Sequence, residues 1–383
     1  MKITKIDVWQ VVVPSKPGTT YSQEIAQQLG ADFTAVPKNI IRIHTDDGFT
    51  GIGETERGVS HDEVVRISKQ LVGRDVMKMS LQHIFRTKPL GLPATWKSQP
   101  EMDLGPYPVA YEAFEMAVFD LVGKRLGVPV HMLLGGACRD KVKVHYWISM
   151  MNAKDSARST RIALDRGFKG LKIKCKIEEP LVERMRAIWE VGGADFKVNL
   201  DPNERFHTVD QTLALAEQLK ELGNVEMFED PIPLRYMQSG SGPIKDYLLP
   251  QYRYLRERMP FPLALSTMNL SETIRAVSAG ASDYLNLGGS MVDFVKCAAI
   301  AQAASIPVWH GSGVDLGITE MSMIHATSAV PNCVLANDLV GSWVRVDDLI
   351  VEGLTFENGQ TSVPQSPGLG CELDMDAVEK YRV

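Results

Sequence analysis

No apolar run in this 383-residue chain approaches the roughly 20 residues that span a bilayer, so no membrane-crossing helix is expected. No Gly-x-Gly-x-x-Gly follows a strand-like segment, which argues against a dinucleotide-binding fold. The five cysteines (Cys138, Cys175, Cys297, Cys333 and Cys371) are scattered, odd in number and without any Cys-x-x-Cys spacing. That pattern reads as reduced, mostly buried thiols rather than a disulfide framework. Positive charge is not in excess: 41 Lys and Arg face 47 Asp and Glu, a formal net charge of −6. Nothing in that balance points to nucleic acid or an anionic membrane surface. The opening stretch MKITKIDVWQVVV alternates like a strand and lacks the apolar core and small-residue cleavage site of a secretory signal. The expectation is a soluble, cytoplasmic protein with no nucleic-acid or membrane partner.

What is present is the material for a large fold, since the length exceeds one ordinary domain. In residues 1–125, ITKIDVWQVVV and NIIRIHTDDGFTGIGE alternate polar and apolar positions around an Asp46-Asp47-Gly48 turn, as antiparallel strands do. The helix-spaced PVAYEAFEMAVFDLVGKRLG follows, stopping at Gly127 with Pro129 beyond. Between the two strand regions, residues 14–37 form a connection long enough to suggest a functional loop.

In residues 126–350 the pattern becomes strand–helix alternation. Strands are expected at 142–150, 170–176, 196–202, 225–231, 262–267, 283–288, 307–310 and 333–338. Eight strands in βα alternation favour a (β/α)8-type barrel over an open sheet. The tail, about 351–383, reads as short strands and turns that return to the first unit.

In such a barrel the active site lies at the C-terminal strand ends. GLKIKCKI sets Lys172, Lys174 and Lys176 on one face of the second strand. Asp201 ends the third strand with Asn203 two places on; Glu229-Asp230 end the fourth, His310 the seventh and Asn337-Asp338 the eighth. Carboxylates converging there suit a hard cation such as Mg²⁺, which takes oxygen ligands. Lysines suit proton abstraction, because burial and neighbouring positive charge lower an amine pKa. The plain alternative is that Asp201 and Glu229 only pair with the lysines.

At this point GFKGLKIK resembles the lysine-x-lysine strand of the mandelate racemase and muconate lactonizing enzyme branch of the enolase superfamily. NLDPN and FEDPIP match the next two strand ends in order. IRIHTDDGFTGIGE is similar to that family's capping-domain hairpin, YEAFEMAVFDLVGKRLGVPVHMLLGG to the helix leading into the barrel, and PGLGCEL to the closing segment. The resemblance implies an α/β fold: an N-terminal α+β capping domain and a modified TIM barrel of (β/α)7β type. It implies removal of the proton α to a substrate carboxylate, with Mg²⁺ holding the enediolate, and relatives that form dimers or octamers. Lys174 would then be the base, and Lys172 would support the substrate carboxylate and depress the pKa of Lys174. Asp201 and Glu229 would be metal ligands, with Asn203 and Asp230 orienting them; Lys176 falls outside the motif.

The chain also departs from the pattern. The fifth strand, LALSTMNLSE, has Ser266 and Thr267 where the third metal carboxylate is expected, and Asn269 is the nearest carbonyl donor. The sixth strand, SDYLNLGGSMVDF, supplies neither an aspartate nor a second lysine; Asp283 lies at its wrong end. One residue separates Val308 from His310 where the family commonly has two, a change that can turn a strand residue to the other face. The long segment 232–261 and the 14–37 loop could cover the mouth. Tyr21, Phe33, Arg235, Tyr236 and Asn337 are the candidate substrate contacts. A single lysine base, with His310 to protonate a leaving hydroxyl, suits dehydration of a sugar acid or related hydroxy acid. Racemisation, cycloisomerisation, a binding or scaffold protein that has lost the chemistry, and metal-independent chemistry based on the lysines are the alternatives.

Overall fold

The structure is a computed structural model, and it describes residues 1–22, 36–85, 110–235 and 243–383. Strands β1 (Ile3–Val11), β2 (Lys38–Thr45) and β3 (Thr50–Glu54) form an antiparallel sheet in that order. The Asp46-Asp47-Gly48 turn joins β2 to β3, with Gly48 at φ 86, a conformation that costs glycine nothing. The helix Tyr111–Leu126 lies against this sheet and ends at Gly127 in the left-handed conformation, a common helix stop. The approach is close: a Cβ on Gly53 would stand 1.9 Å from the Ala113 carbonyl oxygen. The glycine in GIGE is therefore a packing requirement as well as a strand residue.

Strand β4 (Lys141–Lys143) pairs antiparallel with β12 (Gln360–Ser362). Strands β5 (Tyr146–Ile148), β6 (Gly170–Lys174), β7 (Lys197–Asp201), β8 (Val225–Glu229), β9 (Leu263–Thr267), β10 (Tyr284–Leu287) and β11 (Val308–His310) form one parallel sheet in sequence order. Its two edges meet through residues 337–338. Asn337 N donates to Lys143 O (2.8 Å), His145 N to Asn337 O (3.2 Å) and Asp338 N to His310 O (3.0 Å). The result is an α/β fold, a curled parallel sheet with an N-terminal domain. Met227, Ala264 and Trp309 form a buried cluster with Tyr284 and Leu335. Strand alternation puts the first four inside the barrel and carries the next inward layer to Glu229, Ser266 and Asn286.

Three expectations change. The stretch 333–338 is not a strand: it holds only an isolated bridge between Asn337 and Val144. The stretch 142–150 is two strands, because β4 takes β12 as its partner and only β5 enters the parallel sheet. The tail ends in a helix, Met375–Tyr381, and reaches both parts of the molecule. Val12 N donates to Tyr381 O at 2.9 Å on the N-terminal sheet, and β12 completes the barrel-side ribbon. Among the described residues no helix is long and apolar enough to cross a membrane.

Candidate active site

Period-two alternation along β6 turns Lys172 and Lys174 inward while Leu171, Ile173 and Cys175 pack in the core. Lys176 lies beyond the strand and is exposed. The Lys172 ammonium is buried among three carboxylates: 2.7 Å from Asp338 Oδ2, 2.9 Å from Glu229 Oε2 and 3.2 Å from Asp201 Oδ2. Burial works against its charge, but Asp338, Glu229 and Asp201 outweigh that and raise its pKa well above the usual lysine range. The resemblance implies a lysine turned toward substrate; here its donors are already taken. Lys174, 23 % exposed, hydrogen-bonds Asp201 Oδ2.

The two carboxylates at the ends of β7 and β8 are driven apart. Burial would raise Asp201, but the Lys174 and Lys172 charges prevail and hold it at about 2. Burial and the Asp201 charge push Glu229 up to about 7, against the pull of Lys172. Asn203 supplies its backbone N–H to Asp201 Oδ1 (3.0 Å). Asp230, pushed up to about 6 by burial against the pull of Arg235, accepts from the Ser266 hydroxyl and from Ser266 N at 2.9 Å.

Several candidate residues are engaged elsewhere. Asn269 caps the helix Leu270–Ala279, its Oδ1 accepting from Glu272 N at 3.0 Å. Sequence proximity to β9 suggested a metal donor, but the helix start claims that oxygen. Thr267 is buried and bonded to Thr273. Arg235 is held by Glu204 (2.9 Å) and Ser266 O (2.6 Å) in a buried network. Asn337 closes the barrel seam, with Oδ1 accepting from His310 N (2.9 Å) and Nδ2 donating to Lys143 O (3.1 Å). Its neighbour Asp338 is the residue that meets Lys172. His310 stacks on Phe294 at 4.9 Å, and Nδ1 donates to Gly311 O at 2.6 Å. Burial lowers its pKa, so the neutral ring prevails. It nevertheless lines the cavity at the strand ends. Asp283, at the start of β10, pairs with Arg256 at 2.7 Å. Phe33 and Tyr236 lie outside the described residues.

Two adjoining cavities occupy the mouth. One, of about 500 Å³, is bordered by Tyr21, Arg57, Ser149, Lys174, Asn203 and Arg205. The other, of about 260 Å³, has Lys174, Asp201, Glu229, Asn286 and His310 in its wall together with Glu112 from the N-terminal domain. Arg57 and Arg205 have no signal in a strand-end reading, because both sit on loops that only folding brings to the mouth. Arg205 lay within reach: it follows NLDPN by two residues.

A buried ion triad fastens the N-terminal sheet to the barrel. The Lys38 ammonium pairs with Glu54 at the end of β3 and with Asp315 after β11 (2.8 Å). Glu54 also accepts from Leu316 N at 2.8 Å. This joins the sheet to the loop Ser312–Leu316 that borders both cavities.

Members of the enolase superfamily generally bind Mg²⁺, so the donor set can be tested for fit. Each carboxylate oxygen offers two lone pairs. Glu229 Oε1 accepts from Asn286 Nδ2 (2.6 Å) and Lys172 (3.1 Å), and Oε2 from Asn199 Nδ2 (3.1 Å) and Lys172 (2.9 Å). Nothing remains on Glu229 for a metal. The position on β9 offers only the Ser266 hydroxyl, which donates to Asp230. Among the described residues no group of three or more His, Cys, Asp or Glu side chains is arranged to hold a metal ion. These residues do not fit a divalent-cation centre.

Comparison with known proteins agrees with the fold. Residues 31–135 match the N-terminal domain of mandelate racemase / muconate lactonizing enzyme, and residues 155–377 match the enolase C-terminal domain-like family. The N-succinyl-L-Arg/Lys racemase of Bacillus cereus is 23% identical, over 100% of this chain and 98% of that protein. A probable glucarate dehydratase of Streptomyces coelicolor is 26% identical, over 98% and 90%. The crystal structure of the Bacillus cereus racemase superposes with a TM-score of 0.81 at 21% identity, covering 100% of this chain and 98% of that one. The chain belongs to the mandelate racemase and muconate lactonizing enzyme branch of the enolase superfamily.

Proposed function

We propose that this protein is an enzyme that removes the proton α to the carboxylate of a small acid, with Lys174 as the base. The reaction we favour is a one-sided elimination, the dehydration of a sugar acid or related hydroxy acid. One observation carries this reading: the mouth is asymmetric. Lys174 reaches it from β6, whereas β10 ends at Leu287, is followed by Gly288-Gly289 and offers no base. Racemisation needs competent bases on both faces, so the asymmetry weighs against it. Similar proteins carry racemase, dehydratase and cycloisomerase names, which supports the general chemistry and leaves the choice to the site.

Lys174 takes the α-proton when its amine is neutral. Asp201, hydrogen-bonded to it, stabilises the ammonium that results. Arg57 and Arg205 in the cavity wall bind the substrate carboxylate and offset charge as it develops, where fixed cations act most strongly. Because the resting ring is neutral with its proton on Nδ1, His310 donates to the departing hydroxyl only from its imidazolium form, in which Nδ1 stays on Gly311 O and Nε2 gives up the second proton. No step is assigned to a metal.

The test is α-proton exchange in D₂O with a library of hydroxy and sugar acids. Exchange that falls by about a hundredfold or more in Lys174→Ala, the range for a lost general base, supports the reading. A wild-type protein that exchanges no acid sinks it. A second reading, a binding protein without catalysis, is favoured by the occupied donors of Lys172. It predicts calorimetric binding of an acid with no exchange.

A further inference from the structure

We infer that the Lys172 ammonium is the resident cation of this barrel, standing where the family places a divalent ion, and that the strand ends bind no Mg²⁺. An ammonium has three N–H donors, and three carboxylates from three strand ends surround this one: Asp338 at 2.7 Å, Glu229 at 2.9 Å and Asp201 at 3.2 Å. The Lys172 side chain is 3% exposed, so the ammonium is almost fully covered although the cluster borders both cavities at the mouth.

The remaining positions around the cluster are donors or are committed. Asn199 and Asn286 point amide N–H groups at the two Glu229 oxygens, and an N–H donor directed at an oxygen excludes a cation from that lone pair. Room for Asn286 depends on Gly311, where a Cβ would stand 2.5 Å from the Asn286 Oδ1 atom. Ser266, in the third-ligand position on β9, gives its hydroxyl proton to Asp230. Asp338 Oδ1 and the amide oxygen of Asn199 are the oxygens here left without a hydrogen-bond partner. Two free oxygens do not make a site for an ion that demands six ligands. Loss of the strand-nine carboxylate, two amides on Glu229 and an ammonium against all three acids together exchange a bound divalent ion for a covalently tethered one.

The wild-type protein is titrated with Mn²⁺ by electron paramagnetic resonance and with Mg²⁺ by calorimetry. The inference expects no saturable one-to-one site at millimolar metal. A saturable site that disappears in Glu229→Gln overturns it. Lys172→Met, checked for folding by circular dichroism, should then gain Mn²⁺ affinity by at least about tenfold; a folded variant with no gain overturns the role given to the ammonium. If that variant does not fold, amine labelling of the wild type read by mass spectrometry decides the point. Labelling of Lys172 that is slow and unchanged by Mg²⁺ supports the inference, and labelling that Mg²⁺ alters overturns it. Exchange in D₂O separates this from the proposed reaction. Exchange that needs Mg²⁺ removes the inference and keeps the reaction, whereas absent exchange with absent metal binding does the opposite.

Discussion

Lys172 and Lys174 are two positions apart on one strand face, and their surroundings give them different work. Lys172 sits buried among three acids, whereas Lys174 has one acid partner and a side chain 23% exposed toward the cavity. Lys174→Ala should therefore lower exchange by about a hundredfold or more with little loss of stability. Lys172→Ala should lower the melting temperature markedly, because it strands three buried carboxylates, and removing one partner of a buried pair costs about 3–5 kcal/mol. A thermal scan of both variants checks the contrast.

Glu115 gives a pH prediction of definite sign. It is fully buried on the helix Tyr111–Leu126, accepts from Met291 N at 2.8 Å and leaves Oε1 unpartnered. Burial raises its pKa to about 8. The folded state thus keeps a proton that the unfolded chain releases near the ordinary glutamate value. Stability falls as pH rises from the unfolded pKa to about 8, at about 1.4 kcal/mol per pH unit for one such group. Glu115→Gln, measured by urea denaturation, should match the wild type at pH near the ordinary glutamate pKa and exceed it in mild alkali. A constant difference across that range would contradict this.

Among the elements, the helix Leu270–Ala279 shows how a local rule displaced a functional expectation. Asn269 begins it by bonding Glu272 N, and Glu272 Oε2 accepts from Met268 N at 3.0 Å. This reciprocal arrangement satisfies amides at a helix start that would otherwise lack partners. Asn269→Ala should cost about 1 kcal/mol of stability and leave metal titrations unchanged, as chemical denaturation and calorimetry would record. The strands behaved differently. Inward positions of β6, β7 and β8 were legible from alternation alone, because a strand in a covered barrel has one face for helices and one for the interior. Strand β11 is harder to read, since Trp309 fills the interior and His310 follows it directly, so ring stacking on Phe294 decides its direction.

Across the whole molecule, the Lys38–Glu54–Asp315 triad couples the N-terminal sheet to the loop that borders the site. The Asp315 carboxyl is held well below the usual range by Lys38, whose charge outweighs burial. Lys38→Met should destabilise the chain by about 3–5 kcal/mol, because Glu54 and Asp315 stay buried without their cation. It should also weaken substrate binding, a change that acid titration by calorimetry would detect in the folded fraction.

The sequence by itself determined the barrel, its N-terminal sheet and the inner face of the second strand. These follow from periodicity and turn chemistry, which are local. Only the tertiary structure decided which of two adjacent residues serves, Asn337 at the seam and Asp338 at the cage. It alone brought Arg57 and Arg205 to the mouth, set Lys38 between two acids far along the chain, and surrounded Lys172 with three carboxylates. Such contacts depend on how the sheet curls and where its edges meet, and those are distances between residues that no spacing along the chain records.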